Sequence, residues 1–148
     1  MSDIRVEKVI QFEDSTYEIM RDLLKDLYPT RPLLSREQCK VVMEDDHSQV
    51  FVAKKDGEIV GMSTLAWYRK FAGDKWFIED VVVDERMRGQ GIGSLLNESM
   101  LKEAQESGAD FIDVDTRSPE AYKFYLKLGF KDKTAERPLF VLRYQLKV

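Results

Sequence analysis

Val81-Val82-Val83-Asp84-Glu85-Arg86-Met87-Arg88-Gly89-Gln90-Gly91-Ile92-Gly93 is the densest chemical signal in the chain. A β-branched run enters a turn with three glycines, and the turn opens an apolar helix whose face carries Ile92, Leu95, Leu96 and Met100. Glycine admits positive φ and removes the side chains that would block a close approach to the backbone. The first N–H groups of a helix have no partner within it, and the helix dipole adds partial positive charge there. Such a turn can cradle phosphate oxygens, with Arg88 adding charge beside it. The plainer alternative is a strand-to-helix turn that the glycines merely ease.

Spacing narrows the choice. A dinucleotide fingerprint G-x-G-x-x-G starting at Gly89 needs glycine where Ser94 stands, and one starting at Gly91 needs it where Leu96 stands. The phosphate-loop pattern G-x-x-x-x-G-K-[ST] is missing as well. A nicotinamide-dependent oxidoreductase therefore fails on glycine spacing.

Upstream of the turn, Trp76–Val83 reads as a strand, and Asp56-Gly57 as a tight hairpin turn between strands at 49–54 and 58–67. Ile4–Val9 alternates like a half-buried strand. After Asp14-Ser15, residues Ile19, Met20, Leu23, Leu24 and Leu27 mark one helical face, which Pro29 ends. Ser35 with Gln38 forms a capping box for a second helix through Cys39, Val42 and Met43, and Cys39 is expected in its packed core. Downstream, the helix from Gly91 to Ser107 stops at Gly108. Phe111–Thr116 follows as a strand. Ser118 and Pro119 open a helix that ends at Gly129, and Phe130–Lys133 with Leu139–Leu146 read as a closing hairpin. The order β-α-α-β-β-β-α-β-α-β-β describes helices packed on a mixed sheet.

The chain has 148 residues, 43% hydrophobic and 34% charged, an ordinary composition for one globular domain covering 1–148. A net charge of −4 argues against non-specific nucleic-acid binding, which needs a basic surface. One cysteine and one histidine (Cys39 and His47) leave little material for a disulfide, a metal cluster or a Ser-His-Asp triad, so no metal is expected. The opening MSDIRVEKV lacks the apolar run of a signal peptide, and no stretch approaches the roughly 20 apolar residues of a membrane helix. A cytoplasmic protein without membrane partners is the expectation. A monomer and a homodimer stay equally open.

Arg88, Gly91 and Gly93 fit R-x-x-G-x-G behind a hydrophobic strand, and Ala121-Tyr122-Lys123-Phe124-Tyr125-Leu126-Lys127-Leu128-Gly129-Phe130 fits A-x-x-F-Y-x-x-x-G-F. These two motifs and the element order resemble the GNAT superfamily of N-acetyltransferases over nearly the whole chain. The resemblance implies an α/β (α+β) fold: a mostly antiparallel sheet of about seven strands, four flanking helices and a splayed central strand pair. It also implies acetyl-CoA as cosubstrate and an amine as acceptor. One departure is visible: many members carry Asn where Ser118 stands, which puts any cofactor contact made there in question.

By the same resemblance, Val81, Val82 and Val83 offer backbone groups to the pantetheine arm. Arg88, Gly89, Gln90, Gly91, Ile92, Gly93 and Ser94 wrap the pyrophosphate, and Phe124 adds a cofactor contact. A backbone N–H near Val81 points at the thioester oxygen, a kind of donor worth about 2.7–4 kcal/mol to a transition state. The acceptor amine must lose a proton first, since a free alkylamine has a pKa of about 10.4. Phe77-Ile78-Glu79-Asp80-Val81 places two carboxylates before the cofactor segment, and the family pattern assigns the base to Glu79. Strand alternation sends Asp80 to the other face. The alternative for Glu79 is a solvated strand face.

Tyr125 matches the family tyrosine that protonates the leaving thiolate. Its alternative is a core aromatic, because Ala121, Phe124, Tyr125 and Leu128 share a helical face. Asp113 and Asp115 face one side of their strand, and Trp67, Tyr68, Phe71, Trp76 and the loop 28–34 could border the acceptor. The implied reaction is direct acetyl transfer to a primary amine of a small molecule such as a polyamine, aminosugar or amino acid. A protein lysine or N-terminus is the alternative acceptor, and a non-catalytic acyl-CoA sensor is the alternative of another class.

Overall fold

The computed structural model describes residues 3–147, which fall into two compact units, one through Asp115 and one from Thr116 onward. In the first unit, β1 (Ile4–Lys8), β2 (Ser48–Lys55), β3 (Glu58–Tyr68) and β4 (Lys75–Val83) form an antiparallel sheet in the order β1-β2-β3-β4. Asp56 and Gly57 both take positive φ, 51° and 85°, the geometry of a type I′ turn, and they set Lys55 opposite Glu58.

Helix α1 (Asp14–Leu27) packs against β3 and β4, and α2 (Arg36–Met43) packs against β2. Ser35 Oγ accepts the N–H of Gln38, and the Gln38 side chain returns to the N–H of Ser35, completing the capping box. These helices bury Met20, Leu23 and Met43 against Val9, Val50, Val52, Met62 and Val82. Burying each such side chain fully contributes roughly 1.5–3 kcal/mol. The opposite face of the sheet is covered by α3 (Ile92–Glu106), which buries Ile92, Leu96, Met100 and Ala104. Covered on both faces, Val60 through Leu65 is buried without a break. Gly61 is the point of closest approach: a Cβ there would meet Ile92 and Leu96 at 3.3 Å.

The second unit holds α4 (Pro119–Lys127), with Pro119 at its start and Ser118 Oγ accepting the N–H of Ala121 at 3.2 Å. Gly129 ends the turn after it at φ 98°. The inward residues of α4 and its end are Ala121, Phe124, Tyr125 and Leu128, the face expected from the periodicity.

Three strand expectations are corrected, leaving four strands rather than about seven among the described residues. From 111 to 116, only Asp113 bridges to a strand, pairing parallel with Phe77. Residues 130–133 and 139–146 form no strand, and Leu139, Phe140, Val141, Leu142, Tyr144 and Leu146 are all exposed. Apolar alternation states which face a strand would bury; a ladder also needs a neighbour, and these residues have none assigned. Two smaller corrections concern side chains. Ile19 and Leu27 lie on the expected α1 stripe yet are exposed, and Cys39 is half-buried rather than core, its thiol pKa raised by that burial. His47 lies in the exposed turn after α2. No described helix is long and apolar enough to cross a membrane.

Candidate active site

β3 and β4 keep a regular ladder until Thr64, which pairs with Glu79; the next assigned pair is Met62 with Val82. One residue of β3, Ser63, thus faces two of β4, Asp80 and Val81, and Asp80 takes φ 53°. This is a β-bulge. Its consequence overturns simple alternation. Thr64 and Met62 lie two apart on one face, so their partners Glu79 and Val82 share that face although they are three apart. Val82 is in the core beneath α1, so Glu79 lies on the α1 side of the sheet.

Asp80 turns to the same side rather than the opposite one. Its carboxylate accepts the hydroxyl of Tyr28, the residue that closes α1, at 2.5 Å. Two carboxylates expected on opposite faces are thereby brought together. Glu79 reaches solvent, yet part of its hydration is displaced by protein, which raises its pKa. The negative charges of Asp80 and then Asp115 raise it further. The Tyr28 phenol is pushed far above its ordinary value by burial, by its hydrogen bond to Asp80 and by the charges of Asp80 and Glu79, with Arg31 opposing.

The segment beside β4 pairs with it near its start: Ile78 donates to Asp113 and Asp113 to Trp76, both at 2.9 Å, and among the described residues no bridge joins Glu79–Val83 to Val114 or Asp115. The bulge leaves backbone groups of Asp80 and Val81 outside the β3–β4 register. Val81 and Val83 are half-buried, whereas Val82 points into the core and can serve a ligand only through its backbone.

Beyond Val83, a short 3-10 turn at Glu85–Met87 leads into the glycines. Asp84 accepts the N–H and guanidinium of Arg86, which lower its pKa and anchor the turn. Gly89 and Gly91 both stand at φ 79°, exposed, and a Cβ at either would meet nothing within 4 Å. Gly91 is the N-cap of α3; no side chain caps the helix and no acidic residue lies in its first turn. The amides of Ile92, Gly93 and Ser94 therefore start a helix that still accepts an anion. Ile92 is itself 1% exposed, its side chain packed in the core. Exposed Arg88 lies beside the turn, its Nε 3.4 Å from the carbonyl of Val83.

Sequence reasoning missed Lys55. Its Nζ donates to Gln90 Oε1 at 2.8 Å, which brings a second cation to the glycine turn. The Asp56-Gly57 hairpin places it there, and no motif marks it. Tyr28 was expected only as part of the loop 28–34 bordering the acceptor, and no motif marks its bond to Asp80. Asp113 pairs with Lys75 at 3.4 Å, and Trp67 stacks on Trp76 at 4.6 Å, so both sit in ordinary structural roles, while Phe71 is fully exposed. In the second unit, Tyr125 is 8% exposed, with its ring edge-on to Phe124 at 5.2 Å and Phe130 at 5.3 Å.

The sequence matches the acetyltransferase (GNAT) family over residues 13–130. The chain belongs to that family. As a GNAT protein it is an acetyl-CoA-dependent N-acetyltransferase. It is 31% identical over 122 residues to an aminoalkylphosphonate N-acetyltransferase of Salmonella typhimurium, covering 80% of this chain and 78% of that one. It is 30% identical over 138 residues to a glucosamine 6-phosphate N-acetyltransferase of Trypanosoma brucei brucei, covering 88% and 93% respectively. Among solved structures, a transcriptional regulator from Bacillus halodurans C-125 shares the fold with a TM-score of 0.76 at 28% identity, covering 99% of this chain and 100% of that one.

Proposed function

We propose that this GNAT enzyme transfers the acetyl group of acetyl-CoA to the primary amine of a small molecule, with Glu79 as the general base. One observation carries the reading: β4 presents a bulge with two carboxylates on one face and then runs directly into an open glycine turn at a helix N-terminus. The carboxylates suit a cationic amine, and the turn suits the phosphates of coenzyme A. The family match runs from 13 to 130, across both compact units, which supports one acetyltransferase domain. Relatives named for aminoalkylphosphonate and glucosamine 6-phosphate support a small acceptor.

Acetyl-CoA supplies the activated acyl group as a thioester. The backbone N–H groups from Arg88 to Ser94 hold its pyrophosphate, with Arg88 and Lys55 as the nearby cations. Backbone groups of Val81, Val82 and Val83 bind the pantetheine arm, and a backbone N–H near Val81 is the donor to the thioester oxygen. Glu79 takes the proton of the acceptor ammonium, whose neutral form is only about one molecule in a thousand at neutral pH. A base of raised pKa suits this task better than an ordinary carboxylate, because it holds the proton more firmly. Tyr125 keeps a proton at its hydroxyl for the departing thiolate, and Phe124 beside it lines the cofactor, both on the strength of the second motif.

The test is thiol release from acetyl-CoA across a panel of aminoalkylphosphonates, aminosugars and their phosphates, polyamines, amino acids and lysine peptides. Turnover with a small amine and none with peptides is expected. Tight acetyl-CoA binding with no amine accelerating thiol release would instead mark a sensor. For Tyr125→Phe, turnover should fall about tenfold or more while acetyl-CoA affinity stays within about twofold, since proton donation typically contributes 10²–10⁴-fold and a small residual path through water remains. Unchanged turnover would remove Tyr125 from the proton-donor role.

A further inference from the structure

The Tyr28–Asp80 hydrogen bond joins the end of α1 to the bulge across 52 residues of sequence. The Tyr28 ring is also held from behind. The Arg31 guanidinium lies 5.6 Å from its centroid, and the Arg31 N–H reaches the Tyr28 carbonyl at 3.4 Å. Asp80 occupies a left-handed backbone conformation that a side chain other than glycine adopts at a cost, and the bond to Tyr28 fixes where its carboxylate lies. The carboxylate of Glu79, next along the strand and on the same face, has no hydrogen-bond or ion-pair partner among the described residues.

We propose that Tyr28 is a positioning residue for acetyl transfer: by donating to Asp80 it engages and fixes that carboxylate, and so leaves Glu79 as the free carboxylate that accepts the acceptor's proton. The inference rests on the acetyltransferase reading of the site. Two unanchored carboxylates on one face compete for the same ammonium, and neither is a defined base. Only Asp80 receives a hydrogen bond from Tyr28, so the pair is split into an anchored carboxylate and a free one. In the proton step the N–H bond of the ammonium breaks, an O–H bond forms on Glu79, and Tyr28 keeps its own proton throughout. The phenol suits that role, because burial and the two carboxylates hold its ionisation well above the working range. The groups acting on the pair are Tyr28 and Arg31 from the end of α1 and the turn after it, and Asp115 from the segment beside β4.

Tyr28→Phe removes the hydroxyl and keeps the ring. With the best amine of the panel, kcat/KM for the amine should fall about tenfold, the scale of one hydrogen bond to a charged group, while the acetyl-CoA Kd is unchanged. The acid limb of the kcat/KM profile should move to lower pH, because an Asp80 carboxylate freed of its anchor turns out toward water and opposes ionisation of Glu79 less. Asp80→Asn should move the limb the same way, and the double variant should match Asp80→Asn alone. Carboxyl-carbon NMR titration of Glu79 reads the same displacement without any substrate, and a loss of packing alone would not produce it. A Glu79 titration identical in wild type and Tyr28→Phe, or effects that multiply in the double variant, overturns the proposal. A Glu79 displacement in a wild-type background that acetylates no amine supports the Tyr28 link and overturns the acetyltransferase reading instead.

Discussion

The end of β4 breaks regular backbone twice, at the Asp80–Val81 bulge and at the glycine turn after Val83, and the two breaks do opposite things. In the turn, positive φ falls on Gly89 and Gly91, side chains are absent, and what is offered is a set of backbone amides. Any molecule with the right phosphate geometry is served by such a surface. At the bulge, positive φ falls on Asp80, and what is offered is a pair of side chains redirected onto one face. A specific cation with a proton to lose is served by that. On the proposed reading, the shared cosubstrate falls to the backbone feature and the acceptor chemistry to the side-chain feature. Perturbing each separately should therefore move different kinetic constants.

The largest effect is expected at the bulge. Glu79→Gln keeps size and polarity and removes the base, so kcat/KM for the amine should drop by about 10²–10⁴ with acetyl-CoA affinity intact. In the wild type, activity should rise with pH as Glu79 ionises, and the raised pKa places that limb above the ordinary Glu range. The variant should lose the limb. Stability gives an independent check of sign. A carboxyl whose folded pKa is raised binds its proton more tightly folded than unfolded, so stability falls as pH rises from the ordinary Glu value through the folded one. Ionised Glu79 thus costs stability at neutral pH, and Glu79→Gln should melt higher there, with the difference closing below the ordinary Glu pKa. A variant that melts lower at neutral pH and keeps its acid limb would make Glu79 a structural residue.

How legible each break was in the sequence follows from the same contrast. Glycine announces positive φ, so the turn at 88–93, the Asp56-Gly57 hairpin and the stop at Gly108 could be read directly. Local chemistry likewise announced the Ser35–Gln38 box and the Ser118 cap, because each is satisfied within one turn of chain. The bulge carries no such mark: Asp80 is held at φ 53° within the sheet, and its side chain is anchored by Tyr28, two interactions set by tertiary structure. A period-2 reading of Glu79-Asp80-Val81 was bound to place Asp80 on the wrong face. Residues 130–146 fail for a related reason, since the apolar run Leu139–Leu142 and the alternation from Leu142 to Leu146 read as strand while pairing depends on a partner that the pattern does not specify. Ile19 and Leu27 show the limit for helices: a stripe fixes direction, and the extent of the covering sheet decides which of its members are buried.

The smaller effect is expected at the turn, and Gly91→Val isolates it. A Cβ at Gly91 meets nothing within 4 Å, so the substitution creates no clash inside the protein. Its cost is backbone strain of roughly 1–2 kcal/mol for a side chain held at φ 79°, which loosens the first turn of α3 where the free amides sit. Acetyl-CoA affinity should fall about tenfold, equivalent to about 1.4 kcal/mol, whereas kcat at saturating cosubstrate and the acid limb set by Glu79 should stay as they are. Isothermal titration with coenzyme A and a pH–rate profile at high acetyl-CoA read the two halves separately. If Gly91→Val instead shifts the acid limb and spares coenzyme A binding, the turn and the bulge act as one site, and the division between backbone and side-chain recognition fails. If it changes neither, the amides at the start of α3 do not hold the pyrophosphate.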